Sequence, residues 1–212
     1  MGKEGGEESH NRRLAVRWGV ISLTNMGLFL ALAWAVSLGG VFHLERDLYG
    51  WIALELSPGT TPMFQWVNSL GDKRFLIPGI LLLVLAPPRL ARRRWWLWVG
   101  VMLAVAALAG VMKEVVGRPR PEGSNMGFPS GHTAAAAAFF VMAAYLGEKS
   151  LGKWNRQAGM LTWTLAAVLI LLVGIARVIL RAHWPLDVAG GATLGLACAA
   201  AAAWWNERNP YR

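Results

Sequence analysis

The stretch RRRWWLWVGVMLAVAALAGVMKEVVGRPRP (Arg92–Pro121) decides the fold. Three arginines precede an uncharged run over 95–112, and a cationic segment containing Lys113, Arg118 and Arg120 follows it. A run of about 20 apolar residues crosses a bilayer core as a helix, because lipid offers the backbone no other hydrogen-bond partner. Five more uncharged runs surround it, at 18–44, 75–88, 133–147, 157–176 and 188–206. The 75–88 and 133–147 runs are short, and polar ends or snorkelling arginines would lengthen them. Composition agrees: the 212 residues are 55% hydrophobic and 16% charged, with 12 Trp and a mean hydropathy of +0.40. The expectation is one all-α, polytopic membrane domain over 1–212, with six transmembrane helices plus short interfacial helices. A soluble all-helical domain is the alternative, which this spacing of charges disfavours. The first run is also too long for the ~7–15 apolar residues of a cleaved leader, so it reads as a retained span.

A net charge of +9 invites nucleic acid or anionic membrane as partner, and its distribution favours membrane. Arg12, Arg13 and Arg17 precede the first span; Arg89, Arg92, Arg93 and Arg94 crowd one loop; Lys149, Lys153 and Arg156 sit in another. By the positive-inside rule these are cytoplasmic, which puts both termini inside a plasma (inner) membrane and predicts no nucleic-acid partner. Cys198 is the lone cysteine, so no disulfide framework or thiol metal site is expected. Residues 1–11 are Gly/Glu-rich and expected to be disordered. Between the first two spans, Leu44, Leu48, Trp51, Ile52 and Leu56 share a helical face against Glu45, Arg46 and Glu55. That is an interfacial amphipathic helix, either a lid for lipid or a connector lying on the membrane. SPGTTP (Ser57–Pro62) breaks it, and Met63, Trp66, Val67 and Leu70 suggest a second amphipathic turn. The alanine blocks 134–138 and 199–203 suit close helix packing.

Three polar clusters abut apolar runs: Lys113 with Arg118, Arg120 and Pro121; Pro129-Ser130-Gly131-His132; and Arg177, Arg181, His183 and Asp187. No span fits between Arg120 and Pro129, and two fit between His132 and His183, so all three clusters share one face. The arginine-rich 89–94 loop places that face outside. Singly, Lys113 and Arg177 could snorkel from span ends, and His132 could cap a helix. Together, several converging cations call for an anion. Phosphate fits, since arginine offers a planar fork and lysine a point charge. Ser130 reads as an N-cap with Gly131 first in the helix, leaving free amides at a positive helix end. His132 at that rim reads as a proton donor. Pro185 suits a first helical turn and keeps Trp184 out of it. His183 then projects from the loop, and Asp187 can reach back to fix its tautomer and leave the other nitrogen as a nucleophile. Asp187 would also complement the helix N-terminus.

These spaced motifs resemble the signature of the type-2 phosphatidic acid phosphatase superfamily. Its first part reads Lys113…Arg120-Pro121 here, its second Pro129-Ser130-Gly131-His132, its third Arg177…His183…Asp187, so the match spans 113–187. Ala176 stands where the family pattern has serine before Arg177. The resemblance implies a metal-free, two-step phosphoryl transfer with no cofactor. His183 would attack phosphorus to form a phosphohistidine, with Asp187 orienting it. His132 would protonate the leaving oxygen and then activate water. Lys113, Arg120, Arg177, Ser130 and the Gly131 amide would hold the phosphate, and Arg118 or Arg181 a second phosphate or headgroup. The implied substrate is a membrane lipid bearing a phosphomonoester or pyrophosphate, either a prenyl pyrophosphate or phosphatidylglycerophosphate or phosphatidate. Alternatives are a lipid phosphotransferase or lipid A phosphatase using the same site, and, outside enzymes, a transporter of an anionic substrate. The sequence does not indicate an oligomeric state.

Overall fold

The computed structural model describes residues 2–39, 42–55, 58–85, 95–121, 123, 126–151 and 155–209. They form α1 (Gly2–Ser37), α2 (Phe42–Glu55), a short 3-10 turn (Pro58–Thr60), α3 (Thr61–Ser69), α4 (Lys73–Leu85), α5 (Trp95–Val116), α6 (Gly131–Leu151), α7 (Arg156–Ile179) and α8 (Pro185–Arg208). No strand occurs among the described residues. The arginines at 89 and 92–94, and Lys153, lie outside them.

Four of these helices are long and apolar enough to cross a membrane: α1 over Ser9–Ser37, α5, α7 and α8. The sequence led us to expect six spans, and the other two runs behave differently. α6 has 21 residues, about 31 Å at 1.5 Å per residue, but His132 and Thr133 at its start and Glu148, Lys149 and Ser150 near its end lower its hydropathy. α4 has 13 residues, well short of a full crossing. The first helix also corrects an expectation: residues 2–11, read as a disordered tail, continue α1. Extending an existing helix by one residue costs far less than nucleating one, so a long apolar helix carries its polar start along.

The core is built around α6. Ala134, Ala136, Ala137 and Ala138 are fully buried, as are Ala199 and Ala200 of α8, so both alanine blocks pack inward as their composition suggested. Small residues let the two backbones meet. A Cβ on Gly191 would fall 2.4 Å from the Ser130 carbonyl oxygen, and one on Gly195 would fall 2.3 Å from that of Ala134. Without interhelical hydrophobic drive in lipid, such close approach is how spans adhere. α1 lies along α8, and its Ser22 hydroxyl donates to the Ala197 carbonyl at 2.9 Å. Large apolar side chains such as Leu103, Leu161 and Leu171 point outward, as a bilayer solvent requires.

The topology gathers one end of the bundle. α5 and α7 finish where α6 and α8 begin, so the segments 117–121, 126–130 and 180–184 meet there, joined by the α3–α4 turn. A polar cluster pins the opposite end: Glu207, buried, accepts from the Tyr145 hydroxyl at 2.7 Å and pairs with Lys149 at 2.6 Å.

Candidate active site

The third cluster takes the expected shape. Pro185 opens α8, and Trp184 stays extended at φ −75° and ψ 156°. Asp187, in the first turn, reaches back: its Oδ2 accepts the Trp184 amide at 3.0 Å and stands 3.3 Å from His183 Nδ1. His183 and Asp187 are both buried, with at most 1% exposure. Nδ1 is thereby occupied, and Nε2 is the nitrogen left for chemistry. Burial holds the His183 imidazole below its ordinary pKa; the Asp187 hydrogen bond opposes that shift, while the nearby Arg177 and Arg120 charges add to it. Desolvation wins, so the ring is neutral near pH 7.

The second cluster also forms as expected. Ser130 caps α6 and Gly131 is its first residue. The buried Ser130 hydroxyl accepts from the Thr133 hydroxyl at 3.0 Å, and the Ser130 amide donates to the Asp187 carbonyl at 2.8 Å. That last bond ties the tip of α6 to the dyad. A Cβ on Gly131 would meet no protein atom within 4 Å, so an anion can approach the helix end.

The cations converge on the same end. Lys113 Nζ and Arg120 Nε both donate to the Met126 carbonyl, at 3.1 and 3.2 Å. Met126 holds a left-handed backbone at φ 84°, which turns that carbonyl toward them. Arg177 Nη1 donates to Asn68 Oδ1 at 2.8 Å, and its buried Nε has no partner among the described residues. Lys113 lies within electrostatic reach of Arg120, Asp187 and Arg177, and His132 within reach of Arg177, Asp72 and His183. Lys113, Arg120, Ser130, Gly131, His132, Arg177, His183 and Asp187 are thus brought together. Ala176 is fully buried beside Arg177.

Arg118 and Arg181 do not join them. Arg118, expected as a possible second phosphate ligand, is buried and turned inward. Its Nη1 donates to Asp187 Oδ1 at 2.8 Å and its Nη2 to Glu45 Oε2. Arg181 is exposed, at φ 56°.

Three polar residues enter the site that pattern reasoning missed. Asn68, on α3, holds Arg177. Asp72, in the α3–α4 turn, lies 3.5 Å from His132 Nε2. The Arg74 amide donates to Asp72 at 2.8 Å and, as the largest influence, holds its carboxyl below the usual range; His132 acts in the same direction. Glu45, on α2, is buried against Arg118. On α2 the apolar Leu48 and Trp51 are 45% and 64% exposed and Arg46 is exposed too, while Glu45 turns inward and is 4% exposed.

Beside the site, an apolar groove of about 590 Å³ runs between α2, α7 and α8, lined by Leu48, Trp51, Ile175, Val178, Val188 and Ala192 among others.

Comparison with known proteins agrees with this geometry. The PAP2 superfamily profile matches residues 94–211. The chain is 30% identical over 177 residues to phosphatidylglycerophosphatase B of Bacillus subtilis, covering 79% of this chain and 86% of that protein. It is 35% identical over 127 residues to decaprenylphosphoryl-5-phosphoribose phosphatase of Mycobacterium tuberculosis, 54% of this chain and 62% of that one. Its fold matches the crystal structure of a transmembrane PAP2-type phosphatidylglycerolphosphate phosphatase from Bacillus subtilis with a TM-score of 0.81, at 29% identity, over 91% of this chain and 99% of the other.

Proposed function

The chain belongs to the PAP2 superfamily, and we propose that it hydrolyses the terminal phosphate of a membrane lipid through a phosphohistidine on His183. The observation that carries this is the buried His183–Asp187 pair at 3.3 Å, with Nδ1 engaged and the Arg177 and Arg120 charges acting on the ring.

The steps follow from that arrangement. The lipid's phosphoryl group sits between Lys113, Arg120 and Arg177, over the amides at the start of α6. Neutral His183 Nε2 attacks phosphorus in line, and the bond from phosphorus to the lipid oxygen breaks. His132 gives its proton to that leaving oxygen. His132 then takes a proton from water, whose oxygen displaces His183 and releases inorganic phosphate. Asp187 balances the charge on His183 while it carries phosphorus. The three cations meet charge spreading over the equatorial oxygens, the dominant task in phosphoryl transfer. Asp72, 3.5 Å from His132 Nε2, keeps that ring oriented.

The substrate we favour is phosphatidylglycerophosphate, with prenyl pyrophosphate second. The long B. subtilis match supports the first and the M. tuberculosis match the second. The apolar groove is suited to an aliphatic tail, which supports a lipid over a soluble phosphate. We further propose six crossings, with α6 and the helix beginning at Lys73 completing the set. The termini would be cytoplasmic in the inner membrane, and the site would open on the extracytoplasmic face.

The test is phosphate release by purified protein in detergent from phosphatidylglycerophosphate, phosphatidate, prenyl pyrophosphate and lipid A, with His183→Ala alongside. Turnover on one of these, absent in the variant, is the expected result. No release from any of them would refute the reading.

A further inference from the structure

Four ionisable groups are buried together beneath the phosphate site. Glu45 is 4% exposed, Arg118 5%, His183 1% and Asp187 0%. They come from α2, the segment after α5, the loop before α8, and α8 itself. They are chained: His183 Nδ1 faces Asp187 Oδ2, Asp187 Oδ1 accepts from Arg118 Nη1, and Arg118 Nη2 donates to Glu45 Oε2. The second oxygen of Glu45 accepts the Leu186 amide at 2.7 Å, one residue before Asp187. The guanidinium also lies over the Trp184 ring, 5.9 Å from its centroid. Trp184 in turn is fixed by its indole bond to the Pro119 carbonyl at 2.9 Å.

A buried ion cluster is weak evidence of stability, since apolar replacements are often as stable. Its value must lie elsewhere. At rest, two carboxylates and one guanidinium leave the cluster with one negative charge. When His183 becomes cationic on receiving phosphorus, the four groups sum to zero. Without Glu45 the same step would leave a net positive charge in an apolar surrounding, where an uncompensated charge is costly. Arg118 would also turn wholly toward Asp187 and compete with the imidazole for it.

We propose that Glu45 is a positioning residue for turnover, acting through Arg118 to keep Asp187 available to His183 and to balance the imidazolium formed during phosphoryl transfer. It touches neither substrate nor reacting atoms. The proposal rests on the phosphohistidine reading above. It also gives the amphipathic helix α2 a part in the chemistry: its inner face completes the charge balance of a dyad on another helix.

The experiment uses the full chain in detergent with dioctanoyl phosphatidate as probe, comparing wild type, Glu45→Gln and Glu45→Asp. Glu45→Gln keeps the volume and an acceptor for the Leu186 amide but removes the charge. Its kcat should fall about tenfold, equivalent to one pK unit of lost charge balance, with KM within about twofold of wild type. Its acid limb should move to lower pH, because losing a nearby negative charge favours neutral His183. The cations Arg120 and Arg177, the His132 ring and the anion Asp187, itself held by Arg118, remain to act on that ring. Glu45→Asp, which keeps the charge, should return the acid limb to the wild-type position and recover most of kcat. The proposal is overturned if Glu45→Gln keeps its kcat, fails to fold, or loses activity without the pH shift. It is equally overturned if Glu45→Asp is no better. A wild type that releases phosphate from none of the four lipids named above refutes the phosphohistidine reading itself, and the inference with it; one inactive on phosphatidate alone is assayed on the lipid it does turn over. An active wild type with an indifferent Glu45 refutes the inference alone.

Discussion

His132 Nε2 stands 3.5 Å from Asp72 Oδ2, so the molecule presents two imidazole–carboxylate pairs at one end of the bundle. They differ in setting. The His183–Asp187 pair is buried, whereas both side chains of the His132–Asp72 pair are about three-tenths exposed. A nucleophile gains from a fixed, dry environment, and a proton donor from access to water.

Asp72→Asn should therefore impair chemistry rather than folding. We expect kcat to fall by about an order of magnitude, within the range for a weakened acid–base group. An exposed pair contributes little stability, so the thermal midpoint in detergent should hardly move. Steady-state rates beside a melting curve decide it; an unchanged kcat would remove Asp72 from the mechanism.

The depressed pKa of His183 sets the acid limit of activity. A neutral ring is the nucleophile, and its folded pKa lies below the ordinary value of about 6.5. The unfolded chain thus binds this proton more readily. The stability owed to neutral His183 is complete above about pH 6.5 and is lost as pH falls through the folded pKa. The acid limb of kcat/KM should have its midpoint below about 6.5, and melting should weaken over the same window. A midpoint above that value would contradict the burial argument.

Gly191→Ala should damage structure and activity together. The new Cβ would lie 2.4 Å from the Ser130 carbonyl oxygen, so the tip of α6 must shift away from α8. Overpacking of this kind costs about 1–3 kcal/mol. The displaced tip carries Ser130, Gly131 and His132. A lowered melting temperature with reduced phosphate release is expected; a fully active variant would show that the tip tolerates displacement.

Charge neutralisation of the phosphoryl group is assigned to Lys113, Arg120 and Arg177. EDTA should then leave the wild-type rate unaltered in the phosphate-release assay. Loss of activity restored by added Mg²⁺ would reassign that task to a metal.

The sequence discloses Lys113, Arg120, His132, Arg177, His183 and Asp187 because each belongs to a polar cluster that abuts an uncharged run, where polar residues need a reason. Their common face follows from counting spans, and the structure brings them together. Asn68 and Asp72 sit in a segment rich in turn formers, where polar residues are ordinary, so nothing in their spacing points to Arg177 or His132. Glu45 shares the polar side of α2 with the exposed Arg46, and periodicity does not single out which charge of that side turns inward to Arg118.

The Met126 carbonyl, which accepts from both Lys113 and Arg120, carries a consequence for selectivity. The two cations arrive already satisfied by a neutral dipole, and an incoming headgroup must displace it. A terminal monoester, with close to two negative charges near neutral pH, competes well. A diester, with one shielded charge, competes poorly. The bulk lipids pressing on this protein are mostly diesters, so phosphatidylglycerol in large excess should leave turnover of a monoester unchanged. A backbone oxygen thus sets the threshold by which a rare substrate is told from the crowd around it.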